Sequence, residues 1–462
     1  MENKHVHFIG VGGISMSGIA KILLTRGSKV TGSDLKDNHL LNNLRNLGAK
    51  IYIGHSEGNL NKPDAVVISN AIPEDNVELV KARELKVPIY KRAEMIAKLM
   101  KDNYGIAISG THGKTTTTAM VSLVFKEGQL DPTIMVGGEL ENIGGNVHIG
   151  KGDYLITEAD ESDGSLLYFD PLLSIVTNIE LDHINYYDSE EKLIDTFTKF
   201  INKPPSSGKA VACAEDKIIK KIISNNNIEN VLTYGITKGD LRAKKIELLP
   251  FGSYFEVVYN DHSLGKINLQ VPGKYNILNA LAAIAAGMYA GLSFTKIKNA
   301  LEKFNGVHRR FEKKGLIGEI LGVDDYEHQP TQIKETLAAA KNTGYNRVIV
   351  AFQPHRYSRT KHLFEEFSKS FNNIDHLIIT DIYSADEKPE SVEDQRRAKK
   401  LANTIARKQD FNVDYIAKCE DITTYLEEII QPRDLILTIG AGDIYKVGEK
   451  LIDKMRRERE MA

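Results

Sequence analysis

The sequence predicts an α/β protein of three domains: a Rossmann-like first domain, a central domain of the P-loop ATPase type, and a second Rossmann-like domain at the C-terminal end. Three observations carry this. Short apolar stretches run into turns and then into helix-like segments at His5–Ile9, at residues 106–108 and at Arg347–Phe352. Strand-like and helix-like stretches alternate along the chain instead of clustering by type, which is the pattern of parallel sheets. The 462 residues also exceed one average domain. The expected boundaries give domains 1–103, 104–309 and 310–462.

The central domain is organised around Gly110-Thr111-His112-Gly113-Lys114-Thr115-Thr116. Residues 106–108 read as the end of a buried strand and Thr115 onward as a helix start. A loop between them aims backbone N–H groups at one point, at the positive end of a helix dipole, and so suits a phosphate. Lys114 adds a full charge that can reach a terminal phosphate, and Thr115 stands where P-loop proteins present a hydroxyl to Mg²⁺. The two glycines are three apart rather than five, so the shorter form is the more specific signal.

The first domain opens with the strand His5–Ile9, the turn Gly10-Val11-Gly12-Gly13-Ile14-Ser15 and an apolar helix over 19–24. A second strand over 29–32 closes on Ser33-Asp34, an acid about twenty residues on. Ser15 replaces the third glycine of the dinucleotide fingerprint. The turn therefore suits either a nicotinamide dinucleotide or the diphosphate of another nucleotide, such as a UDP-sugar. A strand over 65–69 continues the alternation, and a helix over 93–100 ends the domain.

After the phosphate loop, the strand 154–157 delivers Glu158, Asp160, Glu161 and Asp163 at the end where α/β sheets place ligands. Four like charges this close repel unless a cation joins them. The strand 173–178 leads to Glu180 and the pair Asp182-His183. Residues 246–269 alternate as a hairpin around Asn260-Asp261. The Ala-rich helix starting near 274 carries Asn276 and Asn279 on one face. They either meet an adenine edge or cap the helix, and capping suits Asn276 better. The third domain holds Arg309-Arg310, then Asp324-Asp325-Tyr326-Glu327-His328-Gln329. The loop Gln353-Pro354-His355-Arg356-Tyr357-Ser358-Arg359 follows the strand Arg347–Phe352. Such a basic, aromatic cluster suits an anionic small substrate.

Composition narrows the field. Hydrophobic residues make up 42% and charged residues 26%, and the formal net charge is −2, which supplies no electrostatic reason to bind nucleic acid or a membrane surface. Two cysteines, Cys213 and Cys419, lie far apart, without metal spacing or a disulfide framework. The N-terminus lacks a signal-peptide pattern and no apolar run reaches spanning length. A cytoplasmic protein, a monomer or homodimer, is expected.

In order, these motifs resemble the Mur ligase family over essentially the whole length, and within it the alanine-adding branch. They are His7-Phe8-Ile9-Gly10-Val11-Gly12-Gly13, the loop Gly110–Thr116, Glu158-Ala159-Asp160-Glu161-Ser162-Asp163, Thr177-Asn178-Ile179-Glu180 with Asp182-His183, Asn276 and Asn279, Asp324-Asp325-Tyr326, and residues 353–359. The resemblance implies ATP-dependent joining of L-alanine to the carboxylate of UDP-N-acetylmuramate through an acyl phosphate, in peptidoglycan synthesis. A recycling ligase for preformed stem peptides, or a weakly active or silent nucleotide-binding homologue, are the alternatives.

The resemblance further implies that Gly10, Gly12, Gly13, Ser15, Asp34 and Ser69 bind the UDP-sugar. ATP falls to Gly110, Thr111, His112, Gly113, Lys114, Thr115, Thr116, Asn276, Asn279 and Arg310. Mg²⁺ falls to Thr115, Glu158 and His183. Tyr326, His328 and Arg359 meet the amino acid, and Lys114, His183, His328, His355 and Arg359 are the expected catalytic residues. Glu327 and Gln329 depart from the family's small residue and second histidine, and Tyr383-Ser384-Ala385-Asp386-Glu387 departs from Tyr-Pro-Ala-Gly-Glu. Glu327 is expected to repel the anionic substrates.

Overall fold

The structure, a computed structural model, describes residues 3–140, 143–181, 186–187, 189–226, 228–385 and 387–461. These residues form three sheets, and the chain divides into two compact units. The first unit holds Met1–Lys244, Glu256–Lys266 and Leu278–Glu302, and the second holds Lys245–Phe255, Ile267–Ile277 and Lys303–Ala462.

The first sheet has five parallel strands in the order Lys50–Ile53, Lys29–Asp34, His5–Ile9, Ala65–Ile68, Ile89–Lys91. The order reverses beside His5–Ile9, which puts the crevice at its carboxyl end, where the glycine turn sits. Val6, Phe8 and Ile9 are fully buried, and so is His7, because helices cover both faces of a doubly wound sheet. The helix expected over 19–24 runs Ile14–Thr25.

The second sheet has ten strands. At its centre Leu173–Val176, Tyr104–Ser109 and Tyr154–Glu158 lie side by side and parallel. Their carboxyl ends therefore bring the Thr177-Asn178 segment, the phosphate loop and the carboxylate cluster to one edge. The helix Lys114–Glu127 buries every residue from Thr116 to Phe125. A helix enclosed all round needs no amphipathic stripe, and this one has four threonines at its start. At one margin Gly252–Tyr259 and His262–Leu269 form the expected hairpin, with Asn260 at φ 45° and Asp261 at φ 65° as the two-residue turn. The strands Thr133–Leu140 and Gly145–His148 were not expected, since Gly137, Gly138, Gly144 and Gly145 dilute the β pattern.

The third sheet runs Glu312–Ile317, Ile320–Asp325, Asp434–Ile439, Arg347–Phe352, His376–Ile379, Asn412–Tyr415, with an antiparallel first pair and parallel strands after it. Val348, Val350, Phe352, Leu435 and Leu437 point into one core and Ile349, Ala351 and Ile436 into the other. That period of two, with both faces apolar, explains why these strands read as continuous hydrophobic runs. Among the described residues no helix is long and apolar enough to cross a membrane.

Candidate active site

The phosphate loop is built as its glycines require. Gly110 adopts φ 132° and Gly113 φ 78°, and a Cβ on Gly110 would lie 2.2 Å from Thr177 Oγ1. Only glycine fits there. The neighbouring strand end pins the loop from the side. Asn178 accepts from the His112 N–H at 2.9 Å and donates to the His112 carbonyl at 3.0 Å, while Thr177 Oγ1 donates to that carbonyl at 2.5 Å. The Thr111 N–H donates to the Asn178 carbonyl at 3.0 Å, and the His112 ring lies 3.2 Å from Glu180 Oε2.

Lys114 Nζ donates to the Gly110 carbonyl at 2.6 Å, to the Thr111 carbonyl at 3.2 Å and to Glu161 Oε1 at 2.8 Å. Burial works against its charge, but Glu161, then Asp160 and Glu158, outweigh it and hold the lysine above its ordinary pKa. Glu161 is itself 2% exposed and Lys114 19%, so this is a partly buried ion pair, with Tyr187 donating to the Glu161 backbone carbonyl at 2.6 Å. Asp160 is also held ionised: burial pushes its pKa up, but Lys114, the Ser162 N–H and hydroxyl, and Arg92 hold it below the usual value. Thr115 Oγ1 lies 3.3 Å from Glu158 Oε2, and Glu158 Oε1 accepts from the Gly137 N–H at 2.8 Å. Thr116 is buried.

A cavity of about 270 Å³ lies at these strand ends, lined among others by Lys114, Glu158, Asp160, Gly137, Ser15 and Arg92. Arg92 was missed in the sequence, where a lone arginine after a short strand carries no signal. Asp182-His183 lies outside the described residues, as does Asp386. Among the described residues no group of three or more His, Cys, Asp or Glu side chains could hold a metal.

The glycine turn of the first sheet is braced from within. The Gly10 and Val11 N–H groups both donate to the Ser33 carbonyl, at 2.9 and 3.1 Å, and the Gly12 N–H donates to Asp34 Oδ2 at 2.7 Å. Gly13 precedes the helix Ile14–Thr25, and nothing lies within 4 Å of a Cβ built on it, so its outer side is open. The Ser69 N–H donates to the Ile9 carbonyl at 3.2 Å. Behind the turn lies a polar network that sequence patterning does not reveal. Buried Glu78 accepts from Ser33 Oγ and Asn59 Nδ2 at 2.5 Å each and from the Ser56 N–H at 3.1 Å, with His7 Nε2 3.3 Å away. Burial favours its neutral form, yet these hydrogen bonds pull it down to about 2.

Asn279 and Asn276 divide. Asn279 Oδ1 accepts from Thr117 Oγ1 at 3.0 Å, and a Cβ on Gly113 would come within 2.7 Å of the same oxygen, so Asn279 packs against the phosphate loop. Asn276 is not the cap expected. The helix Lys274–Tyr289 has already begun, and Asn276 Nδ2 donates back to the Pro272 carbonyl at 2.7 Å.

In the second unit the ends of Ile320–Asp325 and Arg347–Phe352 bring the two third-domain motifs together. His328 lies 5.8 Å from the Tyr326 ring and 5.6 Å from the His355 ring, and His355 stacks on Tyr383 at 5.6 Å with 9° between planes. Arg359 NH1 lies 3.1 Å from His355 Nδ1. Burial, then the Arg359 charge, lower the His328 pKa well below its ordinary value, and burial with Arg359 and Arg356 brings His355 to about 4. Both are neutral imidazoles at neutral pH. Ser358 donates from its N–H and its hydroxyl to Glu387, at 3.0 and 2.6 Å, which ties the loop down.

Glu327 differs from its expectation. It is not an uncompensated charge: Arg310 forms an ion pair with it, and Arg310 also lies 5.2 Å from the centre of the Tyr326 ring. Buried Gln329 occupies the N-cap position of Pro330–Lys341 without a side-chain cap bond. Arg309 is structural here, donating to Asp324 Oδ2 at 2.9 Å and to the Gly440 carbonyl at 2.7 Å.

Comparison with known proteins agrees with this layout. Three family models match in sequence order: Mur ligase family, catalytic domain, over residues 5–104; Mur ligase middle domain over 108–287; and Mur ligase, glutamate ligase domain over 309–442. The chain is 47% identical over 455 residues to a UDP-N-acetylmuramate–L-alanine ligase of Geotalea uraniireducens, covering 98% of each chain. It is 46% identical over 454 residues to the protein of the same name from Clostridium acetobutylicum, again covering 98% of each. Among solved structures, a UDP-N-acetylmuramate-alanine ligase from Thermotoga maritima matches with TM-score 0.82 at 30% identity, over 98% of this chain and 100% of that one. A murein peptide ligase from Psychrobacter arcticus shares the fold, with TM-score 0.68 at 22% identity over 98% of each chain. The chain belongs to the Mur ligase family.

Proposed function

We propose that this protein is the ATP-dependent ligase that joins L-alanine to the carboxylate of UDP-N-acetylmuramate in peptidoglycan synthesis. The observation that carries the reading is Lys114, held ionised over a glycine loop, beside a Thr115–Glu158 pair and a cavity that also reaches Ser15 behind the glycine turn of the first sheet. The similarity to alanine-adding relatives over 98% of the chain supports the choice of amino acid.

A carboxylate is a poor acyl donor, so one of its oxygens attacks the γ-phosphorus in line; the new P–O bond forms as the bond to ADP breaks. The acyl phosphate is then attacked at carbon by the neutral amine of alanine, and phosphate leaves as the amide forms. Lys114 and the loop N–H groups stabilise negative charge on the transferring phosphoryl oxygens. A phosphate arriving there competes with the Gly110 and Thr111 carbonyls for the ammonium, while Glu161 keeps it charged.

Thr115 and Glu158 offer hard oxygen donors on neighbouring elements. This fits Mg²⁺, which binds through one or two protein oxygens together with substrate phosphates. Bound there, it supplies further charge neutralisation to the phosphates. His183 is proposed to serve a second ion. We assign the UDP-sugar to Gly10, Gly12, Gly13, Ser15, Asp34 and Ser69, ATP beyond its phosphate loop to Asn276, Asn279 and Arg310, and the amino acid to Tyr326, His328 and Arg359, with His355 and Arg359 steering the anionic groups. Neutral imidazoles suit an incoming amino acid, because they can accept a hydrogen bond from its amine without adding positive charge.

The test is isotopic. With oxygen-18 in the carboxylate of UDP-N-acetylmuramate, one labelled oxygen should appear in the released phosphate. Unlabelled phosphate alongside amide product would rule out the acyl phosphate.

A further inference from the structure

Arg92 opens the helix Arg92–Met100, directly after the strand Ile89–Lys91 at the edge of the first sheet. Its guanidinium spans two motifs far apart in sequence. NH1 lies 3.3 Å from Ser15 Oγ, just beyond the glycine turn, and NH2 lies 3.4 Å from Asp160 Oδ2 in the carboxylate cluster. Both contacts are longer than an ordinary N–H···O bond, and they engage two of the five donors of a fork shaped for carboxylate. The side chain is 24% exposed and lines the cavity of about 270 Å³, where Lys114 is the other cation among the lining residues.

The two cations are held differently. Lys114 is drawn into its own loop by two carbonyls and by Glu161 at 2.8 Å. Among the described residues Arg92 has only the two long contacts, one on each side of the cavity. A substrate bound with its diphosphate on the glycine turn, and reacting at the phosphate loop, must bring its acid group between Ser15 and Lys114. Asp160 and Glu158 also line that passage, so an incoming carboxylate meets like charge unless a cation stands beside it.

We propose that Arg92 is the binding residue for the reacting carboxylate of the sugar nucleotide, holding one of its oxygens while the other faces the γ-phosphate. This rests on the function proposed above and adds to it the group that positions the acyl donor. It separates two anions on one substrate: the diphosphate belongs to the turn, and the carboxylate belongs to Arg92.

The experiment measures calorimetric affinities of the full chain for UDP and for UDP-N-acetylmuramate in the parent, in Arg92→Met and in Arg92→Lys, with the KM for ATP as a further readout. Losing a charge-assisted hydrogen bond should weaken UDP-N-acetylmuramate binding by about tenfold to a hundredfold in Arg92→Met, with UDP affinity and the KM for ATP held within about twofold. Arg92→Lys should recover part of the loss, because it restores charge but not the fork. Equal weakening for UDP and UDP-N-acetylmuramate would overturn the proposal in favour of a diphosphate contact or a strut between Ser15 and Asp160. Unchanged affinity for both would overturn it outright. A parent that does not bind UDP-N-acetylmuramate would instead overturn the functional reading beneath it. Arg92→Lys, which keeps a cation beside Asp160, provides the comparison if Arg92→Met fails to fold.

Discussion

At the end of the strand Tyr104–Ser109 the side chains are kept charged, whereas at the end of Arg347–Phe352 the histidines are kept neutral. Lys114, half-buried, stays ionised because the charges of Glu161, Asp160 and Glu158 outweigh the cost of burial. His328 and His355, half-buried, lose their protons because burial disfavours the imidazolium and the neighbouring arginines, Arg359 first, add to it. Desolvation opposes charge in both places, and the sign of the neighbours decides the outcome. The difference follows the chemistry proposed for each. A phosphoryl group in transfer needs a fixed positive charge, while an amine nucleophile is served by neutral acceptors beside a guanidinium.

The largest effect should come from breaking the charged side. Lys114→Ala should lower the rate of ADP release by about a hundredfold to a thousandfold, the usual consequence of removing one electrostatic stabiliser of a transition state. The same change leaves Glu161 buried without its lysine and costs about 3–5 kcal/mol of stability. Affinity for UDP should nevertheless persist, because the glycine turn lies on another sheet. ADP release within about tenfold of the parent would remove Lys114 from the reaction.

The neutral side should yield less. His355→Ala should reduce kcat/KM for L-alanine by about tenfold to a hundredfold, with the KM for ATP little changed, since a positioned hydrogen-bonding group is lost rather than a charge. A drop shared equally by the ATP and alanine parameters would mean that His355 supports the fold instead.

Smaller still is the expected effect of restoring the family's residues at the two departures. A free carboxylate at Glu327 would repel the substrates, and its reversal should then help greatly. With Arg310 paired to Glu327 that repulsion is largely cancelled. Glu327→Gly with Gln329→His should therefore change kcat/KM for L-alanine by no more than about threefold. A gain of tenfold or more would show that the ion pair opens during turnover.

The smallest effect is a pH dependence of stability. The His355 pKa is about 4 in the folded chain and about 6.5 when unfolded. Between those values the unfolded chain binds more protons. The His355 contribution is thus intact above about pH 6.5 and is lost as pH falls through 4. His355→Gln should flatten the decline of Tm over that window. An unchanged slope would mean that the imidazole titrates normally.

The two sides were also unequally legible in the sequence. The phosphate loop is seven consecutive residues whose glycines, lysine and threonine each have one physical job, so the motif carried its own geometry. What it could not reveal was support from a distance: Asn178 and Thr177 pinning His112, Asn279 against Gly113, and Glu161 as the partner of Lys114. The third-domain site is assembled from separate loops, so Tyr326, His328, His355 and Arg359 could be nominated from the sequence but not joined. The Arg310–Glu327 pair and the Tyr383 stack exist only once the strands align. Strands with uniform apolar runs, such as Arg347–Phe352, were read to the residue. Glycine-diluted strands such as Thr133–Leu140 were not, because glycine removes the side chains that signal a strand. Arg92 and the Glu78 network had no local pattern at all.

The most direct measurement of the central claim is phosphate release by the purified chain with ATP and Mg²⁺, with and without UDP-N-acetylmuramate, and with each amino acid and a preformed stem peptide in turn. The structure and its relatives lead to one phosphate released per amide bond formed, dependent on the sugar nucleotide and fastest with L-alanine. Phosphate release that ignores the sugar nucleotide, or that answers to the stem peptide in place of L-alanine, would contradict it.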